Sequence, residues 1–120
     1  MNMPIANEKR RYPRIAYEMP LRYKKQKETD QAPIGTITRN ISNGGACFVA
    51  KEFFTLATRL VLQINIPGKP HPVKTISKVA WISKDPSEGH FLIGTVFLDA
   101  TKSDKSALEG YISNVYSANN

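Results

Sequence analysis

A chain of 120 residues provides the core of one domain and no more. Its 41% hydrophobic content excludes a chain disordered by composition, and no apolar stretch approaches the length that spans a bilayer. The single cysteine, Cys47, excludes an intrachain disulfide and a cysteine-based zinc site, while a net charge of +7 points to an anionic partner.

Met1–Asn7 carries no apolar run and basic residues follow it, so it does not read as a signal peptide. A reducing, cytoplasmic setting with no membrane span is the expectation. Residues 1–9 read as a flexible leader, with one domain over 10–120. The charge is concentrated early: from Glu8 to Lys27 eight basic residues stand against two acidic ones. Within that segment, Arg10-Arg11-Tyr12-Pro13-Arg14 is extended or turn-like, because Pro13 fixes its own φ and disfavours helix at Tyr12.

Strand signals follow. Ile15–Lys25 predicts a first strand, with Pro20 marking a bulge or an edge position. Ile34–Ile41, rich in Thr and Ile, predicts a second. Asn40-Ile41-Ser42-Asn43-Gly44-Gly45 is a dense turn signal, and Ala46–Ala50 predicts a short third strand. Arg59–Ile66 alternates: Leu60, Leu62, Ile64 and Ile66 face one way, and Arg59, Val61, Gln63 and Asn65 the other. Pro67-Gly68-Lys69-Pro70 turns the chain into a fifth strand, Val73–Ile82, which holds Trp81, the only tryptophan. After a turn at Asp85–Gly89, Phe91–Leu98 is apolar on both faces and reads as a central strand. Thr101-Lys102-Ser103-Asp104 then resembles a helix N-cap with an acidic residue at its third position. Leu108, Tyr111, Ile112 and Val115 supply the i, i+3, i+4, i+7 stripe of a helix that Gly110 weakens. Six strands and one C-terminal helix make the chain mainly β, a six-stranded antiparallel barrel or a strongly curved sheet.

Catalytic chemistry finds little support. His71 and His90 are the only histidines; both fall at turns and read as surface residues. Cys47, inside a short apolar strand, reads as a small core residue rather than a nucleophile. There is no P-loop and no G-x-G-x-x-G. The expectation is a protein that is not an enzyme and needs no metal or cofactor.

Two features remain. Three arginines lie within five residues, Arg10, Arg11 and Arg14. A guanidinium matches phosphate oxygens or the O6/N7 edge of guanine bidentately and stacks on a base. The second is the turn: Asn40 and Ser42 can reach a ligand or cap local backbone groups. Gly45 permits a backbone shape, or a close approach, that a Cβ would forbid.

In order, R-x-x-x-R (Arg10, Arg14) followed by N-x-S-x-x-G (Asn40, Ser42, Gly45) resembles the PilZ domain. The likeness extends through Val79-Ala80-Trp81 and Gly94-x-x-Phe97 to the terminal helix. The resemblance implies a split-barrel receptor for cyclic di-GMP whose N-terminal arginine segment wraps over the ligand. It implies that Arg10 and Arg14 contact guanine and phosphate, with Arg11 adding a phosphate or stacking contact. It also implies that Asn40 and Ser42 bond guanine and that Gly45 keeps the turn open. Trp81 is either a ligand contact or a core aromatic. Asn40 stands where Asp is commoner in the family, and Lys9 precedes the first motif arginine, where a basic residue is compatible with a stacked pair of ligands. The resemblance further implies a downstream protein partner. Two other readings compete. One is an OB-like barrel binding single-stranded nucleic acid through the basic segment and Tyr12, Tyr17 and Tyr23. The other is an adaptor that binds proteins only. The compact arginine motif and its matching turn favour one small ligand over nucleic acid.

Overall fold

The computed structural model describes residues 18–86 and 89–118. Six strands form a closed antiparallel barrel: β1 (Pro20–Lys25), β2 (Ile34–Ile41), β3 (Ala46–Ala50), β4 (Arg59–Ile64), β5 (Val73–Lys84) and β6 (Phe91–Asp99). Around the barrel the order is β1-β2-β3-β6-β5-β4, and β4 returns to β1. Among the described residues one helix, α1 (Lys102–Ala118), follows.

Alternation builds the interior. Leu60, Leu62 and Ile64 of β4 point inward with Leu21 and Tyr23 of β1, and all are buried. Tyr23 stacks at 5.1 Å on Phe48 of β3 and meets Phe54 edge-on at 5.8 Å. Burial, and then the nearby Glu52 carboxylate, pushes the Tyr23 phenol above its ordinary value. Tyr23 is therefore a core ring rather than an exposed platform for bases, because its β1 register sets it beside Leu62. Of the tyrosines on which a nucleic-acid surface would rest, Tyr12 and Tyr17 lie outside the described residues.

Pro20 occupies neither an edge nor a bulge. Closure of the barrel leaves β1 paired on both sides, and Pro20 is its first residue, where a missing N–H costs least. Its carbonyl accepts the Asn65 N–H at 3.0 Å. Just before it, Met19 exchanges hydrogen bonds with Thr38 of β2, through the Thr38 N–H and hydroxyl, each at 3.0 Å.

Two irregularities matter. Register slips between Val79 and Trp81, so Ala80 is an extra residue against β6. A second slip on the same pair of strands skips Leu98. Outside the barrel, Arg39 reaches Asp85 in the β5–β6 connection at 3.2 Å, where the Asp85 side chain is buried.

The helix begins as its cap residues predict. Thr101 Oγ1 accepts the Asp104 N–H at 3.1 Å, and the Thr101 carbonyl accepts the Lys105 N–H at 2.9 Å. The Asp104 carboxylate does not close a capping box. It accepts the Lys74 N–H of β5 at 3.2 Å and so ties the helix start to the barrel. Leu108 and Ile112 join the core, with Tyr111 and Val115 half-buried beside it. Gly110 faces open space. Gly110→Ala should therefore stabilise the protein by about 1 kcal/mol, read as a raised urea midpoint. No gain would mean that the helix is held by packing alone.

Candidate functional site

The turn between β2 and β3 is fastened by its own polar atoms. Ser42 N–H donates to the Gly45 carbonyl at 2.9 Å, and the Ser42 hydroxyl accepts from the Gly44 N–H at 3.0 Å. The hydroxyl also lies 3.4 Å from the Gly45 carbonyl, and Ser42 is buried. Serine suits this position because one small hydroxyl can both accept and donate. On the far side, the Gly44 carbonyl accepts the Phe97 N–H of β6 at 2.9 Å. Thr95 exchanges further bonds with Ala46 through its hydroxyl, at 2.8 and 3.3 Å.

Gly45 has no positive φ; it is needed for close approach. A Cβ there would overlap the Thr95 carbonyl oxygen and lie 3.0 Å from its carbonyl carbon. The close approach is to the chain's own backbone, which lets the turn lie flat on β6.

Beside the turn runs a cross-strand row on the outer face. Asn40 of β2 is opposite Cys47 of β3, Cys47 opposite Gly94 of β6, and Gly94 opposite Trp81 of β5. Cys47 and Gly94 form a low floor, with Asn40 at one end and Trp81 at the other. Trp81 lies against Gly94, and a Cβ on that glycine would stand 2.6 Å from the indole Cδ2. Trp81 is thus no core aromatic: the Ala80 bulge turns it outward, and it is 38% exposed. Cys47 is buried as expected, but on the outer face and outside the core cluster. Its partner in register, Asn40, is half-buried.

The row and the turn border a cleft of about 730 Å³, within the range of roughly 300–1,000 Å³ that small-molecule sites occupy. Asn40, Ser42, Gly45 and Trp81 all line it, so four of the residues singled out in the sequence come together. Cys47, Gly94 and Asn43 line it too, and these were not singled out as site residues. Asn43 Oδ1 is buried with no hydrogen-bond partner among the described residues, an acceptor left open at the cleft wall. The sequence held one signal for this floor: small residues at both Cys47 and Gly94, recognisable only once the strands are in register. Arg10, Arg11 and Arg14 lie outside the described residues.

The charged residues lining the cleft are Asp99, Asp104, Glu109 and Lys105. Its described wall therefore carries more negative than positive charge. Among the described residues no group of three or more His, Cys, Asp or Glu could hold a metal ion, and no helix is long and apolar enough to cross a membrane. His71 is exposed and His90 half-buried at the end of the β5–β6 turn.

The family model of the PilZ domain matches residues 8–114. The chain belongs to the PilZ domain family. No curated protein matches it by sequence. Among solved structures, it is similar to the Bacillus subtilis inhibitor of motility MotI/DgrA, with a TM-score of 0.76 and 23% identity over 93% of this chain and 53% of that one. It is also similar to Escherichia coli YcgR in complex with c-di-GMP, with a TM-score of 0.71 and 17% identity over 92% of this chain and 47% of that one. The isolated PilZ domain of YcgR with c-di-GMP matches with a TM-score of 0.64 and 17% identity, over 92% of this chain and 94% of that one. The chain thus spans about half the length of MotI and YcgR. These likenesses show a shared PilZ fold.

Proposed function

We propose that this PilZ domain is a cyclic di-GMP receptor that signals to a partner protein. The observation that carries the reading is the row Asn40–Cys47–Gly94–Trp81 beside the fastened turn. A low floor between an amide and an indole suits a planar base. Trp81 offers a stacking face, and Asn40 offers both a donor and an acceptor to a base edge. The open acceptor on Asn43 suits the N–H groups of guanine. The PilZ domain of YcgR was solved with c-di-GMP, in keeping with this reading.

Charge supports a role for Arg10, Arg11 and Arg14. Cyclic di-GMP carries two phosphate charges, and a wall lined by three carboxylates and Lys105 cannot neutralise them. The arginine run can. Arg14 is five residues before Met19, which pairs with Thr38, two positions from Asn40. Five residues reach about 17 Å when extended. In this mechanism the arginines close over ligand seated on the barrel, and charge-assisted bonds offset the entropy of ordering the segment. The covered surface then presents a new face to the partner. Asn40, Ser42, Gly45 and Trp81 form the seat, with Ser42 and Gly45 acting mainly by shaping the turn.

Calorimetry of the full chain with cyclic di-GMP tests this. Binding is expected, and the double variant Arg10→Ala, Arg14→Ala should weaken it by about 100-fold or more, given roughly 1.5–3 kcal/mol for each charge-assisted bond. No heat at micromolar protein, or an unchanged affinity in the double variant, overturns the reading.

A further inference from the structure

A second surface lies on the other side of the barrel. Strands β1, β4 and β5 are neighbours, and their sequences contain no Asp or Glu. With Leu60, Leu62 and Ile64 pointing inward, their alternates Arg59, Val61 and Gln63 point out. Arg22 and Lys24 do so on β1, and Lys74, Ile76 and Lys78 on β5.

Register arranges these residues. Val61 is opposite Ile76, with Lys24 opposite Val61 on the other side. The adjoining rows are Arg59 opposite Lys78, and Arg22–Gln63–Lys74. Val61 is buried, so the half-buried Ile76 is the apolar residue at the centre of a ring of five cations. None of the five makes an ion pair among the described residues. The bordering carboxylates are Asp99, opposite Ile76, and Asp104, which accepts the Lys74 N–H. Arg59 and Lys78 face each other directly, an arrangement of like charges that costs stability. No carboxylate among the described residues forms an ion pair with either.

We propose that this face docks an acidic patch of a partner protein, one that sets carboxylates around an aliphatic side chain. An apolar centre with a charged rim is the anatomy of a protein interface. Bases have nothing to stack on, because no aromatic points outward among the residues named. The face meets the cleft along β5 and at Asp99 and Asp104, but none of its five cations lines the cleft, so it stands apart from the cyclic di-GMP reading.

The test uses the full chain, isotope-labelled, with three probes at equal ionic strength: a synthetic acidic peptide of Glu and Leu, a duplex DNA, and phosphatidylserine vesicles. The peptide should shift amides of 22–24, 59–63 and 74–78, and bind more weakly as salt rises. Arg59→Glu should weaken the peptide by roughly fivefold or more while leaving the melting temperature equal or higher, since it turns a repulsive pair into an attractive one. If that variant does not fold, Lys78→Gln should show the same loss. Cyclic di-GMP binding should equal the parent's in either variant. Stronger binding of DNA or vesicles than of peptide, shifts confined to other strands, or an unchanged peptide affinity in the variant overturns the proposal. Failure of the parent to bind cyclic di-GMP would remove the reading of the cleft and leave this one standing.

Discussion

Gly45→Ala should destabilise the barrel by about 2–3 kcal/mol, at the upper end of what one added methyl costs in a packed site. The obstacle is backbone on every side. The new Cβ would overlap the Thr95 carbonyl oxygen and stand 3.3 Å from Val96 Cα. A side chain could rotate away; a strand cannot. Thr95 is held by its two bonds to Ala46, and Phe97 by its bond to the Gly44 carbonyl. Relief requires the turn to lift from β6, which breaks these bonds together. Urea denaturation reads the effect as a lower midpoint at unchanged slope. Gly35→Ala is the control, because nothing lies within 4 Å of a Cβ there. Equal midpoints for the two variants would mean that the turn is free to move. If the cleft binds cyclic di-GMP, Gly45→Ala should also weaken the ligand, because Asn40 and Ser42 shift with the turn.

Much of this architecture was legible because inward positions alternate with outward ones. Leu60, Leu62 and Ile64 announce β4 and its buried face. The strands β2 and β3 begin and end where the sequence expects them. Part of the candidate site was legible as an ordered motif, since Asn40, Ser42 and Gly45 line one cleft. What was hidden depends on partners. Val73, Thr75, Ser77 and Val79 point inward, so period two assigns Trp81 to the same side. The Ala80 bulge reverses the phase, and a bulge is defined only against the opposing strand. Cys47 was hidden for a similar reason. On β3 it is buried like Ala46 and Phe48, yet on the opposite face, where Trp81, Gly94 and the turn crowd around it. Pro20 suggested an edge because closure of a barrel is not a property of one strand. The left-handed Ala57, at φ 70°, had no signal at all; its N–H is held by the Val79 carbonyl at 2.8 Å.

Gly94 and Trp81 should behave as one unit. If the cleft binds cyclic di-GMP, Trp81→Ala removes a stacking face and should weaken the ligand by about 1–3 kcal/mol, roughly five- to 150-fold. Gly94→Ala should reach nearly the same affinity by another route. Its methyl would enter the space of the indole, whose Cδ2 is 2.6 Å from that position. Here the obstacle is a side chain already 38% exposed, so it can swing into solvent. The cost in stability should therefore be smaller than at Gly45, about 1–2 kcal/mol, and tryptophan emission should move to longer wavelength. Both consequences require Trp81 to be present. On the Trp81→Ala background the methyl meets no ring, so Gly94→Ala should cost little stability and no further affinity. The double-mutant cycle should show a coupling of about 1 kcal/mol or more in each quantity. Additive losses would show that Gly94 is needed for the strand backbone itself, and that the floor and the indole are independent parts of the cleft.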